Sequence, residues 1–188
     1  MADLSYPLWI LNQYRTAEFQ GADLLQRILR KNHDPQLQIN LSHHFADEAR
    51  HAWLWTELIC ELGGTPTILP NTYQQRLRRQ VGLPSSMLNL LALSHVVEER
   101  VQQRYRQHAA RPDEDLRTVA VLQTIIADEK WHLSWVEDWL AEQAKQEGQE
   151  QVGALLERYR SLEAQAYAEL AAEEESRRQQ YVEQSQAR

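Results

Sequence analysis

Asp47-Glu48-Ala49-Arg50-His51 and Asp128-Glu129-Lys130-Trp131-His132 are two copies of one pattern, Asp-Glu-x-x-His, separated by 81 residues. On a helix, residues three apart lie about 60° apart around the axis, so the Glu and the His of each copy point the same way and both can reach one metal ion. A single Glu-x-x-His is common by chance, and what distinguishes these two is the surrounding sequence. Leu37, Leu41, His44, Glu48, His51, Trp55, Leu58 and Leu62 recur at three and four residues, as do Leu122, Ile125, Glu129, His132, Val136 and Trp139. Each pair therefore sits on the stripe that its helix must bury.

An ionised carboxylate is almost never left alone in a core, because losing its hydration costs several kcal/mol or more. Something cationic must meet it. The same argument selects Glu18, framed by Leu11, Ala22 and Leu25, and Glu98, framed by Leu91, Ser94, Val101 and Tyr105. Glu18 precedes Glu48 by 30 residues and Glu98 precedes Glu129 by 31, which reads as one plan used twice: a helix with a lone Glu, then a helix with Glu-x-x-His. Four glutamates and two histidines face one interior. Carboxylates mixed with imidazoles suit iron or manganese better than zinc, which prefers fewer ligands in a tetrahedron. Two divalent ions would also balance the four buried negative charges.

The rest of the chain reads as helix. It has 188 residues, only 6 Gly and 6 Pro, and abundant Leu, Ala, Glu, Gln and Arg, a length and composition for one all-α domain. A first helix runs from Leu4 to about Leu29 and is ended by Asn32, Asp34 and Pro35. A second spans about Gln36 to Leu62 and stops at Gly63-Gly64. A third opens at a Ser cap and covers Ser85 to about Ala110, and a fourth covers about Asp113 to Glu147. The segment from Gln149 to about Tyr181 can lay one apolar face on the others, whereas Glu173 to Arg188 is polar all round and is expected to fray. Residues 65–84, with Pro66, Pro70, Gly82 and Pro84, are too long to join adjacent antiparallel helices and suit a connection that travels the length of a bundle.

With this ligand set and this connection, the chain resembles the ferritin-like di-iron carboxylate superfamily over roughly residues 8–145. The resemblance implies an all-α, ferritin-like four-helix bundle over residues 1–147, with one long crossover and, at 148–188, an additional C-terminal helix packing on the bundle. It also implies a pair of iron ions, Fe/Fe with Mn/Fe as the variant. Glu18 and Glu98 would each bind one metal, Glu48 and Glu129 would bridge, and His51 and His132 would cap opposite ions. Asp47 and Asp128 look like the partners that fix the metal-bound histidines in the bacterial oxygenases of this superfamily, where D-E-x-R-H recurs. On that resemblance the expected activity is oxidation of an organic substrate with dioxygen. The substrate would be small and apolar or aromatic, and the electrons would come from a reductase or ferredoxin. Iron oxidation by a ferroxidase is the competing expectation, and an inert metal site in a structural or interaction protein is a third. A rubrerythrin-type peroxidase would carry a further inward carboxylate near the third-helix ligand, where Val101 and His95 stand instead.

Several residues admit two readings. Glu99 competes with Glu98, but it shares its stripe with Gln102 and Arg106 and so faces water. His44 and His95, each about one turn before a ligand, are extra ligands, proton carriers or hydrogen-bonded core histidines. Tyr14, one turn before Glu18, is a hydrogen-bond or electron donor near the metals, or packing. Trp9, Trp53, Trp55, Trp131, Trp135 and Trp139 line a substrate channel or fill the core.

Charge and composition exclude other classes. With 20 Lys and Arg against 27 Asp and Glu, the formal charge of −7 disfavours a nucleic-acid partner, and the cluster Arg76, Arg78, Arg79 reads as a solvated loop face. Cys60 is alone, so neither an intrachain disulfide nor a rubredoxin-type iron centre can form, in keeping with a reducing cytoplasm. No stretch reaches the roughly 18 apolar residues of a membrane span, and the start lacks a basic n-region, so a cytoplasmic chain is expected, with a homodimer compatible.

Overall fold

The computed structural model describes residues 4–82 and 84–187. Leu83, inside the expected crossover, lies outside the described residues. The chain is all-helical, with the topology of a ferritin-like bundle. Its helices are α1 (Tyr6–Leu29), α2 (Pro35–Glu61), α3 (Tyr73–Val81), α4 (Met87–Ala109), α5 (Leu116–Glu147) and α6 (Gln149–Gln186). Two helical hairpins, α1–α2 and α4–α5, are joined by a long connection that contains α3. Two compact units result. One holds the chain up to Arg76 together with residues from Gln165 on, and the other holds Leu77–Ala164.

In the first unit, α1 and α2 run antiparallel. Gln38 donates to the Leu29 carbonyl at one end, and Arg15 donates to Thr56 Oγ1 at 2.7 Å towards the other. α2 begins on Pro35 itself, whose missing N–H costs nothing in the first turn, and Asp34 caps it by accepting from the Leu37 N–H at 2.8 Å. At its other end Gly63 takes φ +74°, Gly63 N–H bonds the Cys60 carbonyl and Gly64 N–H bonds that of Ile59, the paired bonds of a Schellman stop. Gly64 has a second reason to be glycine, since a Cβ there would come within 2.6 Å of Leu8 Cδ2.

The connection after α2 follows α1 turn by turn. Thr67 N–H donates to Asn12 Oδ1 at 2.6 Å, Leu69 N–H to Thr16 Oγ1 at 3.1 Å, and Thr72 Oγ1 to Gln20 Oε1 at 2.7 Å. Polar side chains four residues apart on α1 thus hold the connection, and the buried Asn12 and Thr16 satisfy backbone N–H groups of an otherwise irregular segment. The connection does travel along the hairpin, but it is not all loop, because Tyr73–Val81 form α3 with Tyr73 and Leu77 buried. Arg76 belongs to this helix and is ion-paired with Glu173 and, at 3.8 Å, Glu169 of α6, while Arg78 and Arg79 are exposed.

The polar stretch from Glu173, expected to fray, is helical to Gln186 and is held on the start of α1. The Arg177 guanidinium lies 4.9 Å from the centre of the Trp9 ring, and Tyr6 contacts Glu174 and Tyr181.

In the second unit, α4 is capped by Ser86, one residue after the expected position, and α5 by Asp115. Leu91, Ala92, Tyr105, Leu122, Ile125 and Val136 are fully or almost fully buried. The first part of α6 is tied to α4 by Tyr159 Oη donating to Asn89 at 2.8 Å and by a two-pronged ion pair, Arg100 to Glu163, at 2.8 Å on both oxygens. Gly148, at φ +105°, makes the single-residue break between α5 and α6.

Candidate metal centre

The six expected ligands are all in the interior. Glu18, Glu48 and Glu98 are 4–7 % exposed, and His51, Glu129 and His132 are fully buried. In the first unit, Glu18 of α1 and Glu48 and His51 of α2 each present a ligand atom within 4.8 Å of the others. His51 turns its Nδ1 towards Glu18 Oε2 at 3.8 Å, and Glu48 shares its side of α2 with His44, whose Nε2 is 3.5 Å from Glu48 Oε1. In the second unit, His132 Nδ1 is 3.1 Å from Glu129 Oε2, and Glu98 and His132 present ligand atoms within 4.8 Å.

These two Glu/His clusters fit divalent cations. Donors bound to one ion at about 2.1 Å lie roughly 3.0–3.4 Å apart at octahedral or tetrahedral angles; the His132–Glu129 spacing of 3.1 Å falls in that range, and the 3.5 and 3.8 Å spacings in the first unit lie above it. The donors themselves, carboxylate oxygen and imidazole nitrogen, are those that iron and manganese accept. Without a cation, each cluster would hold carboxylates in an interior that cannot solvate them.

Several contacts around the ligands were not legible in the sequence. Trp55, fully buried, donates from Nε1 to Glu18 Oε1 at 3.4 Å, and its ring meets that of the buried Tyr14 with centroids 5.3 Å apart. Tyr14 therefore packs in the layer behind Glu18. Gly21, one turn after Glu18, faces the Glu48 carboxylate: a Cβ on Gly21 would collide with Glu48 Oε2. The only sequence signal was a lone glycine inside a helix, in register with a ligand.

The flanking aspartates are half-buried. Asp47 lies 3.5 Å from His43 Nε2 and 3.2 Å from Arg50, both on its own helix. Glu99 points outward, paired with Arg160 at 3.2 Å, and His95 turns its Nε2 to Glu99 Oε1 at 3.6 Å. Gln102, expected to share the solvent face with Glu99, is instead buried. Of the six tryptophans, Trp9, Trp55 and Trp135 are core, Trp131 and Trp139 are half-buried, and Trp53 is on the surface at 57 % exposure. Trp131 meets the His132 imidazole edge-on with centroids 5.8 Å apart, and Trp135 lies tilted against Trp131 at 6.2 Å.

No helix among the described residues is long and apolar enough to cross a membrane. No curated protein and no solved structure matches the chain. The family model of the ferritin-like domain matches residues 10–146, a stretch that begins before Glu18 and ends after His132. Two buried Glu-x-x-His helices, each paired with a helix carrying an inward Glu, are the ligand pattern of that domain's di-iron members, and the chain belongs to the ferritin-like family.

Proposed function

We propose that this protein is a non-haem di-iron oxidoreductase that uses dioxygen to oxidise a small apolar or aromatic molecule. In this reading Glu18, Glu48, His51, Glu98, Glu129 and His132 hold one pair of iron ions, with Mn/Fe as the alternative pair. A reductase or ferredoxin delivers the electrons. The observation that carries the proposal is the doubled Asp-Glu-x-x-His: two buried Glu/His pairs, each preceded by a half-buried aspartate. Storage requires only that iron enter and be oxidised. An aspartate beside each ligand pair adds a means of fixing imidazole tautomer and orientation, which controlled oxygen chemistry uses.

When bound, the metal pair supplies the redox chemistry, and the protein supplies geometry, dryness and tuning. Trp55 holds one Glu18 oxygen by its indole N–H and so limits how that carboxylate can swing. Gly21 leaves room for the Glu48 carboxylate that a larger residue would fill. Trp131 sets an aromatic ring against His132, with Trp135 next to it, in keeping with an apolar or aromatic substrate. In this reading Asp47 and Asp128 would orient the ligand histidines once metal is bound.

Aerobic addition of Fe(II) to the apo-protein, followed by sizing, tests the reading. A stoichiometric colour change at two irons per chain on a small oligomer is expected. A mineral-filled particle would replace the proposal with a ferroxidase or storage role, and absence of any oxidation would leave a structural one. The substrate class follows from mass spectrometry of small molecules carried through purification.

A further inference from the structure

We propose that His44 is a third imidazole ligand, bound to the same ion as Glu48, an inference that rests on the di-iron reading above. His44, Glu48 and His51 are spaced four and three apart, so they occupy one face of α2 over two turns. All three are interior, with His44 1 % exposed. The His44 Nε2 to Glu48 Oε1 distance of 3.5 Å is longer than a good hydrogen bond, and it is close to the separation of two donors that share an ion.

The second unit lacks the counterpart. The residue four before Glu129 is Ile125, fully buried, which offers no donor. His95, the other histidine near a ligand, is turned to Glu99, an exposed carboxylate already paired with Arg160. The duplicated plan is therefore broken at one position, and the ligand that results is on the α2 side only. An ion with an extra imidazole binds more tightly and in a different field from its neighbour, so the two metals would load in sequence and be spectroscopically distinct.

Anaerobic titration of full-length apo-protein with Co(II), read by ligand-field absorption, tests this. Wild type should take up two ions in resolvable steps. His44→Gln should weaken one step at least about tenfold and alter its absorption, and added imidazole should restore both in His44→Gly. His95→Gln should change neither. X-ray absorption of the wild-type dicobalt protein should count three imidazoles per two ions, a readout that needs no variant to fold. Two imidazoles per two ions, or wild-type titration in His44→Gln, overturns the inference while leaving the di-iron reading intact. Failure of the wild type to take up metal at all overturns both.

Discussion

A carboxylate in an apolar interior must be neutralised or coordinated, and the residues around Glu18 and Glu48 show how tightly its position is defined. Gly21 makes that testable. Replacing a helical glycine with alanine ordinarily stabilises by up to about 1 kcal/mol, yet here the added methyl displaces the Glu48 carboxylate. Gly21→Ala should therefore keep or raise the melting temperature of the apo-protein while lowering metal affinity at least about tenfold. Wild-type affinity by calorimetric titration would mean that Glu48 relocates freely. His51→Ala and His132→Ala should each bring metal content below two per chain, measured by elemental analysis, and unchanged content in both would falsify the ligand assignment.

At the scale of elements, the connection along α1 is held by side chains that accept from its backbone. Thr16→Val keeps the shape and removes the acceptor from the buried Leu69 N–H, so a loss of about 1–3 kcal/mol is expected in urea unfolding. A loss near zero would show that water or a backbone shift replaces the bond. The turn into α5 carries a pH dependence. Burial pushes the Glu114 carboxyl upward, but this is outweighed by its 2.6 Å hydrogen bond to His108, the charge of His108, the Asp115 N–H and Arg111, so its pKa falls below the usual 4.5. A carboxyl with a depressed folded-state pKa stabilises above its unfolded value, and that contribution is lost as pH falls through the folded value. Glu114→Gln should therefore be less stable than wild type at neutral pH, and the gap should close below pH 4.5. A pH-independent gap in thermal melts would point to packing instead.

For the whole molecule, four interior glutamates should make stability depend on metal. A ligand present at a hundred times its Kd adds about 2.7 kcal/mol to the folded state, which for a chain of this length corresponds to roughly 5–10 °C in Tm. Chelation should lower the melting temperature by about that amount, and Fe(II) or Mn(II) should restore it. Equal melting of apo- and metal-loaded protein would argue that the carboxylates are neutralised by protons.

Much of this architecture is written in local spacing. Apolar residues three and four apart define α1, α2, α4 and α5 to within a few residues, and the same periodicity places Glu18, Glu48, His51, Glu98, Glu129 and His132 inside, because a helix turns its faces by fixed steps whatever surrounds it. α3 escaped notice because nine mostly polar residues between Pro70 and Gly82 carry too little periodicity to mark a helix; its order depends on burying Tyr73 and Leu77 and on pairing Arg76 with Glu173. The end of α6 is ordered by Tyr6 and Trp9, residues at the opposite end of the chain. Spacing likewise could not reveal that Trp55 would hold Glu18, that Gly21 would clear space for Glu48, or that His44 would turn its Nε2 to Glu48 while His95, likewise buried, turned its Nε2 to Glu99. Periodicity reports the side of a helix on which a residue lies. Which atom it meets there is set by segments far away in sequence, and only packing brings those together.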